Sequence, residues 1–232
     1  MKIAQIGGGK MGKIVAEVAG EQSYEIVTVI DLTEAELDAQ GLSEQLKGAD
    51  VAIDFTSASA VRRNVEACLL AGVPLVEGTT GWNDQREDIE RLVRQRMGAM
   101  VFGANFSIGV NLFYRIVDTA AELLAEFPEY ETYIEEQHHS RKKDAPSGTA
   151  LKLKDIVAEH IKNEFSISST RAGNIPGTHR VGFDGPADQI ELTHTARSRE
   201  GFALGALVAA EWILGKTGFY EFTDVMDEIV GQ

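Results

Sequence analysis

Lys2-Ile3-Ala4-Gln5-Ile6-Gly7-Gly8-Gly9-Lys10-Met11-Gly12 is a short β-prone run that breaks into a glycine loop. Gly7, Gly9 and Gly12 satisfy G-x-G-x-x-G, a pattern that is weak alone and informative only in the right surroundings. Here the surroundings agree. A strand precedes the loop, and a helical stretch at 11–19 follows it with small and apolar residues on its inner side. The Val- and Ile-rich strand Glu25–Ile30 then ends in an acid, Asp31. In a dinucleotide-binding turn the first glycine makes the bend, the second admits the pyrophosphate, and the third lets helix and strand pack closely. An acid placed like Asp31 accepts bonds from the adenosine ribose hydroxyls. The competing pattern G-x-x-x-x-G-K fits Gly7, Gly12 and Lys13, but it needs Ser or Thr next to hold magnesium and finds Ile14. The dinucleotide reading prevails.

Downstream the alternation continues, with strands at 51–55, 74–77 and 100–102 and helices at 62–71 and 84–96. Residues 32–48 are acidic and polar and read as a loop with a short helix. Strands separated by helices imply a parallel sheet covered on both faces, an α/β fold of the doubly wound, Rossmann-like kind. Ligands bind such sheets outside the carboxyl ends of the strands. Three loops of small and polar residues stand there: Asp54-Phe55-Thr56-Ser57, Gly78-Thr79-Thr80-Gly81 and Gly103-Ala104-Asn105-Phe106-Ser107. Each alone is an ordinary βα turn; together they look like a rim along a cofactor. The expected cofactor-binding residues are therefore Gly7, Gly9, Lys10, Met11, Gly12, Asp31, Phe55, Thr56, Gly78, Thr79, Thr80, Gly103, Ala104, Asn105 and Phe106.

A chain of 232 residues, 44% apolar and 25% charged, suits one large domain or two small ones, each with a real core. Its net charge of −14 argues against a nucleic-acid partner, whose backbone must be neutralised by Lys and Arg. The same charge repels an acidic metabolite unless the binding site is locally basic. The lone Cys68 excludes an internal disulfide and fits a reducing compartment; on its apolar helical stretch it reads as a core thiol. Met1-Lys2-Ile3 enters a strand with no signal peptide, and no apolar run is long enough to span a membrane. A cytoplasmic setting and no membrane partner are expected.

Beyond residue 106 the character changes. A long helical pattern at 109–127 and a strand at 131–137 precede a basic turn, with a helix at 149–162 after it. Strands at 165–171, 179–183 and 189–196 suggest a mixed or antiparallel sheet, and helices follow at 202–214 and 222–230. We expect a discontinuous dinucleotide-binding domain of 1–106 and 200–232, and a second, α+β domain of 107–199 for substrate binding and oligomerisation.

The basic turn is the run Glu135-Glu136-Gln137-His138-His139-Ser140-Arg141-Lys142-Lys143-Asp144-Ala145-Pro146-Ser147-Gly148-Thr149-Ala150. Ser147 reads as a helix cap, and free N–H groups beside concentrated positive charge make a receptor for a small anion such as a carboxylate. The histidines can move protons near neutral pH. An exposed, merely solvated basic loop is the plainer alternative. No metal is expected, because consecutive histidines chelate poorly and no Cys or further spaced His completes a set. Adjacent strand residues face opposite ways, so His138 and His139 require a turn to share a pocket. His160 and His179 read as surface residues, His194 as either structural or supporting, and Ser147 as a cap rather than a nucleophile.

The run from Gln137 to Ala150 resembles the signature of the dihydrodipicolinate reductase family. The resemblance extends over nearly the whole chain, through Gly7–Gly12, Asp54-Phe55-Thr56, Gly78-Thr79-Thr80-Gly81, Ala104-Asn105-Phe106-Ser107, Arg171-Ala172-Gly173 and Glu191-Leu192-Thr193-His194. It implies reduction of a cyclic imine dicarboxylate, 4-hydroxy-tetrahydrodipicolinate, by NADH or NADPH in lysine and diaminopimelate biosynthesis. It further implies His138 as proton donor with Lys142 assisting, and His139, Gly148 and Thr149 as holders of a substrate carboxylate. A homotetramer built through the second-domain sheets, burying their exposed apolar faces, is also implied, as is domain closure. Asp31 should repel the extra phosphate of NADPH, and Leu32-Thr33 brings no arginine to offset it. NADH is thus the expected preference, with NADPH usable through Lys10. Another nicotinamide-dependent dehydrogenase and a non-catalytic dinucleotide sensor are the alternatives.

Overall fold

The computed structural model describes residues 1–31 and 37–231. Leu32 and Thr33, which bear on coenzyme choice, lie outside the described residues. The chain forms two compact units: Met1–Ile108 with Arg199–Gln232, and Gly109–Ser198.

In the first unit, β1 (Lys2–Ile6), β2 (Glu25–Ile30), β3 (Val51–Asp54), β4 (Leu75–Glu77) and β5 (Ala99–Phe102) alternate with α1 (Lys10–Glu21), α2 (Ala39–Leu46), α3 (Val61–Ala71) and α4 (Arg86–Gln95). After the second unit the chain returns as α7 (Glu200–Ile213), β10 (Gly218–Glu221) and α8 (Phe222–Val230). The sheet is parallel throughout, in the order β10-β5-β4-β3-β1-β2. Every residue of β3 is buried, as a strand covered on both faces requires, and so it shows no polar alternation. α1 packs against α7, while α3 packs against α2 and α4. The sixth strand, β10, is a finding that the sequence pattern did not supply. Its Phe219 stacks on Phe102 with ring centroids 4.5 Å apart, and Trp82 meets Phe102 edge-on.

Growth of the sheet reverses between β1 and β3, the switch point where doubly wound sheets open a crevice. Gly7 stands there with φ of 98°, and a Cβ on it would lie 2.6 Å from the Phe55 carbonyl oxygen. A Cβ on Gly12 would lie 2.0 Å from the Gly7 carbonyl oxygen. Only glycine fits either position.

The second unit carries α5 (Ile108–Leu124), β6 (Glu131–His138), α6 (Gly148–His160), β7 (Ser166–Arg171), β8 (Thr178–Asp184) and β9 (Gln189–Thr195). Its mixed sheet runs β7-β6-β8-β9, with β6 and β7 parallel because α6 carries the crossover between them. Val110, Phe113 and Val117 of α5, Leu153 and Val157 of α6, and Ile134, Val181 and Phe183 of the sheet share one core. The opposite face is not the apolar surface that the family resemblance implies. Tyr133 donates to Glu191 at 2.7 Å, and Arg180 pairs with Glu135 at 3.2 Å and Glu191 at 3.4 Å. Alternation sends these side chains to the side away from the helices.

Candidate active site

In the first unit, an open groove of about 400 Å³ at the switch point is lined by Gly9, Lys10, Met11, Phe55, Thr56, Ser57, Gly78, Thr79 and Thr80. Three of the four predicted segments thus meet, and Ser57 joins them. Gly9 caps α1 without a side-chain bond, and nothing lies within 4 Å of where its Cβ would be. The first-turn N–H groups are left for an anion to approach. A Cβ on Gly8 would lie 2.4 Å from Asp31 Oδ2, so the acid sits against the glycine loop. This cradle fits a dinucleotide: glycines where a pyrophosphate passes, and a carboxylate at the end of β2 for a ribose.

The fourth segment behaves differently, since residues 103–106 stand outside the groove lining. Phe106 is 2% exposed, packs on Phe222 at 4.6 Å and on Phe55 at 6.4 Å, and its side chain is therefore core. Asn105 accepts from the Ser107 N–H at 2.9 Å, and the Gly103 N–H donates to the Glu77 carbonyl at 3.2 Å. Ala104 lies between them.

In the second unit the hub is Glu136, a carboxylate that the sequence reading passed over. Burial pushes it up, but hydrogen bonds from Ser147, Arg171 and Ser169 outweigh burial and hold it at about 2. Its Oε1 accepts from the Ser147 N–H at 3.0 Å, Ser169 Oγ at 2.7 Å and Arg171 Nη2 at 2.7 Å. Its Oε2 lies 3.2 Å from His138 Nδ1. One carboxylate therefore ties the start of α6 to the imidazole that ends β6. Burial lowers the His138 pKa, the Glu136 charge raises it, and Lys142 and Arg171 lower it again.

After His138 the chain does turn, with the Lys142 N–H donating to the His139 carbonyl at 3.1 Å. Lys142 Nζ sits 2.8 Å from Asp144 Oδ2. Ser147 caps α6, accepting from the Ala150 N–H at 3.2 Å. Gly148 has open space where a Cβ would stand, and Thr149 shares a hydrogen bond with Tyr114 of α5. Gly177, at φ of 150°, leaves room at the ring, since its Cβ would lie 3.2 Å from His138 Nε2.

His179 is a correction. It is 5% exposed, not a surface residue, because β8 alternation places it with Val181 and Phe183 on the helix-covered face. Burial, reinforced by His138, pushes its pKa down to about 4. Its Nε2 lies 3.2 Å from Ser147 Oγ and 3.8 Å from Glu136 Oε2. A histidine and an acid do stand beside Ser147. They do not make a nucleophile, because the acid approaches the same ring nitrogen as the hydroxyl and cannot orient the ring from behind. The ground for expecting no metal also changes: Glu136, His138 and His179 offer ligand atoms within 4.8 Å of one another. Arg171 already answers the carboxylate's charge, so a cation there would face an unneutralised guanidinium. His160 lies 2.8 Å from Asp118 at the surface, and His194 packs on Phe113 at 5.9 Å beside His179 in register.

Residues 1–106 match the family described as dihydrodipicolinate reductase, N-terminus, and residues 109–226 match dihydrodipicolinate reductase, C-terminus. The chain belongs to the dihydrodipicolinate reductase family. A 4-hydroxy-tetrahydrodipicolinate reductase of Christiangramia forsetii is 36% identical, covering 99% of each chain. One of Archaeoglobus fulgidus is 38% identical over 98% of this chain and 100% of its own. Among solved structures, dipicolinate-bound dihydrodipicolinate reductase from Paenisporosarcina sp. TG-14 aligns with a TM-score of 0.78 at 25% identity, covering 97% of this chain and 99% of that one. The family's C-terminal match runs past the second unit into α7 and β10, which complete the first.

Proposed function

We propose that the chain reduces 4-hydroxy-tetrahydrodipicolinate to tetrahydrodipicolinate with a nicotinamide dinucleotide, in the cytoplasm, as a step of lysine and diaminopimelate biosynthesis. The observation that carries this reading is the Glu136 hub, which holds the His138 imidazole and a helix N-terminus beside the Lys142 turn. The first unit is the coenzyme half and the second grips the substrate. The hydroxyl leaves first as water, taking a proton from the neighbouring carbon, which makes the ring carbon conjugated with the imine; a bound dinucleotide would supply a hydride to that carbon. The resulting enamine must gain a proton at the neighbouring carbon. His138 donates it, and Lys142 supports the donor and stabilises developing negative charge. His139, with Gly148 and Thr149 at the start of α6, holds a substrate carboxylate. Cations concentrated in a chain of net charge −14 serve a substrate with two carboxylates.

NADH is the preferred coenzyme and NADPH a usable one, because Asp31 against Gly8 repels a 2′-phosphate while Lys10 on the groove wall can partly offset it. The assembly is a homotetramer joined through the open face of the second-unit sheet. Its Tyr133, Glu135, Arg180 and Glu191 make that contact polar, and light scattering after gel filtration checks the mass.

Oxidation of NADH followed at 340 nm, with substrate generated in place from pyruvate and aspartate semialdehyde, tests the reaction. Substrate-dependent oxidation blocked by pyridine-2,6-dicarboxylate is expected. A folded protein that binds coenzyme but stays silent with both NADH and NADPH would instead be a sensor or another dehydrogenase.

A further inference from the structure

Behind the groove wall stands a pair of acids that the proposed chemistry does not use. Asp54 ends β3 and Glu77 ends β4; they are register partners in the parallel ladder, and each is 0% exposed. Their bonding partners are neutral. Asn64 Nδ2 donates to Asp54 Oδ2 at 2.7 Å, and the Thr79 N–H donates to Glu77 Oε1 at 2.7 Å. One oxygen remains on each acid, Asp54 Oδ1 and Glu77 Oε2, buried without a donor. Two adjacent buried carboxylates cannot both stay ionised without a cation, whereas one proton between them satisfies both orphaned oxygens.

The pair leads directly to the groove. Thr79, held by Glu77, accepts from the Thr56 N–H through its Oγ1 at 3.0 Å. Asn64, held by Asp54, reaches Thr56 Oγ1 at 3.3 Å. Thr56 and Thr79 both line the groove, so the two acids clasp its wall from behind.

We propose that Asp54 and Glu77 share a single proton, and that this singly charged pair is a positioning element that sets the Thr56–Thr79 clasp for the coenzyme. The proposal rests on the groove being the coenzyme site. Other groups face the pair from three sides. α3 contributes Asn64, whose Oδ1 takes Arg63 Nη2 at 2.9 Å, and the buried Cys68 thiol. The β3 loop contributes Thr56, and the β4 loop contributes Thr79, whose carbonyl accepts from Trp82 Nε1 at 2.8 Å. Burial pushes both carboxyl groups up, Glu77 the further because Asp54 adds its charge. Burial and the same two acids push the Cys68 thiol up as well, so it stays neutral.

The test is NADH affinity, read by coenzyme fluorescence on the full chain between pH 6 and pH 10, for the unaltered protein, E77Q and E77A. Loss of the shared proton leaves two facing charges, so the unaltered protein should lose at least about tenfold in affinity toward alkaline pH. E77Q carries a permanent donor to Asp54 and should flatten that loss to less than about threefold. E77A strands both Asp54 and the Thr79 N–H and should weaken binding by about tenfold even at pH 7. Superimposable pH profiles for the unaltered protein and E77Q would overturn the shared proton. Unchanged binding by a folded E77A would overturn the positioning role; if E77A does not fold, E77Q alone decides. An unaltered protein that binds no NADH at any pH would instead remove the coenzyme reading on which all of this rests.

Discussion

Glu136 Oε2 lies 3.2 Å from His138 Nδ1, and both side chains project from β6 toward the helix-covered face of the sheet. Neither atom has an aligned hydrogen bond, so the contact is one of charge rather than of donor and acceptor. It works against burial, which favours neutral imidazole, and keeps more of His138 in the protonated form that a donor needs. Glu136→Gln removes that charge. We predict a fall in kcat of about 10–100-fold, with NADH affinity nearly unchanged. The alkaline limb of the kcat profile should also move to lower pH, since the larger of the two upward influences on His138 is gone and only the smaller one, from Asp144, still opposes burial, Lys142 and Arg171. A limb that stays in place would show that Glu136 has no electrostatic hold on the donor.

His138→Gln and Lys142→Ala test the proposed proton donor and its proposed partner separately. Each should lower kcat by about 10²–10⁴-fold while leaving NADH affinity intact, because neither residue belongs to the unit that carries the groove. Equal losses of coenzyme binding would mean that the variants misfold, and their roles would have to be reassigned.

Much of this was legible in the chain. The glycine loop declared itself because Gly7 and Gly12 are demanded by contacts local to one βα turn. The basic turn did so because its charge stands out against an acidic background. What escaped notice depends on register between distant strands. His179 is brought beside His138 by β6–β8 pairing, and Arg171 reaches Glu136 across the β6–β7 pair. Glu77 looks like the last residue of an apolar strand until Asp54 appears beside it in the ladder. The four residues of β10 are too few to show a period between two helices. The Phe106 ring is a different case: its loop has the composition of a cofactor rim, but the ring itself packs in the core, a partner that only the fold reveals.

We predict that coenzyme choice turns on Asp31. The unaltered protein should show kcat/KM for NADH at least about tenfold above NADPH, because a 2′-phosphate would approach that carboxylate. Asp31→Ser should narrow the gap by raising kcat/KM for NADPH more than it lowers that for NADH. A tenfold preference for NADPH in the unaltered protein would refute this role for Asp31.

The two units should answer acid in opposite directions. In the second unit, His179 has its pKa pushed down to about 4, so between that value and the ordinary 6.5 the unfolded chain binds the proton and the native one does not. Stability there is present above pH 6.5 and drains away as pH falls toward 4, by on the order of 3 kcal/mol. Glu136, held at about 2 against an ordinary 4.5, extends the same loss to lower pH. In the first unit, Asp54 and Glu77 are raised, so the native state binds protons that the unfolded chain releases. That unit gains stability as pH falls toward the ordinary carboxylate range. Calorimetry at pH 8 and pH 5 should therefore show the unfolding of the second unit moving down in temperature relative to the first, and splitting from it if the two begin together. His179→Gln should flatten the descent between pH 6.5 and 4, and Glu77→Gln should stabilise the first unit at pH 8 by about 2–4 °C for each kcal/mol recovered. A descent of the second unit that is equally steep in His179→Gln would place the acid sensitivity elsewhere.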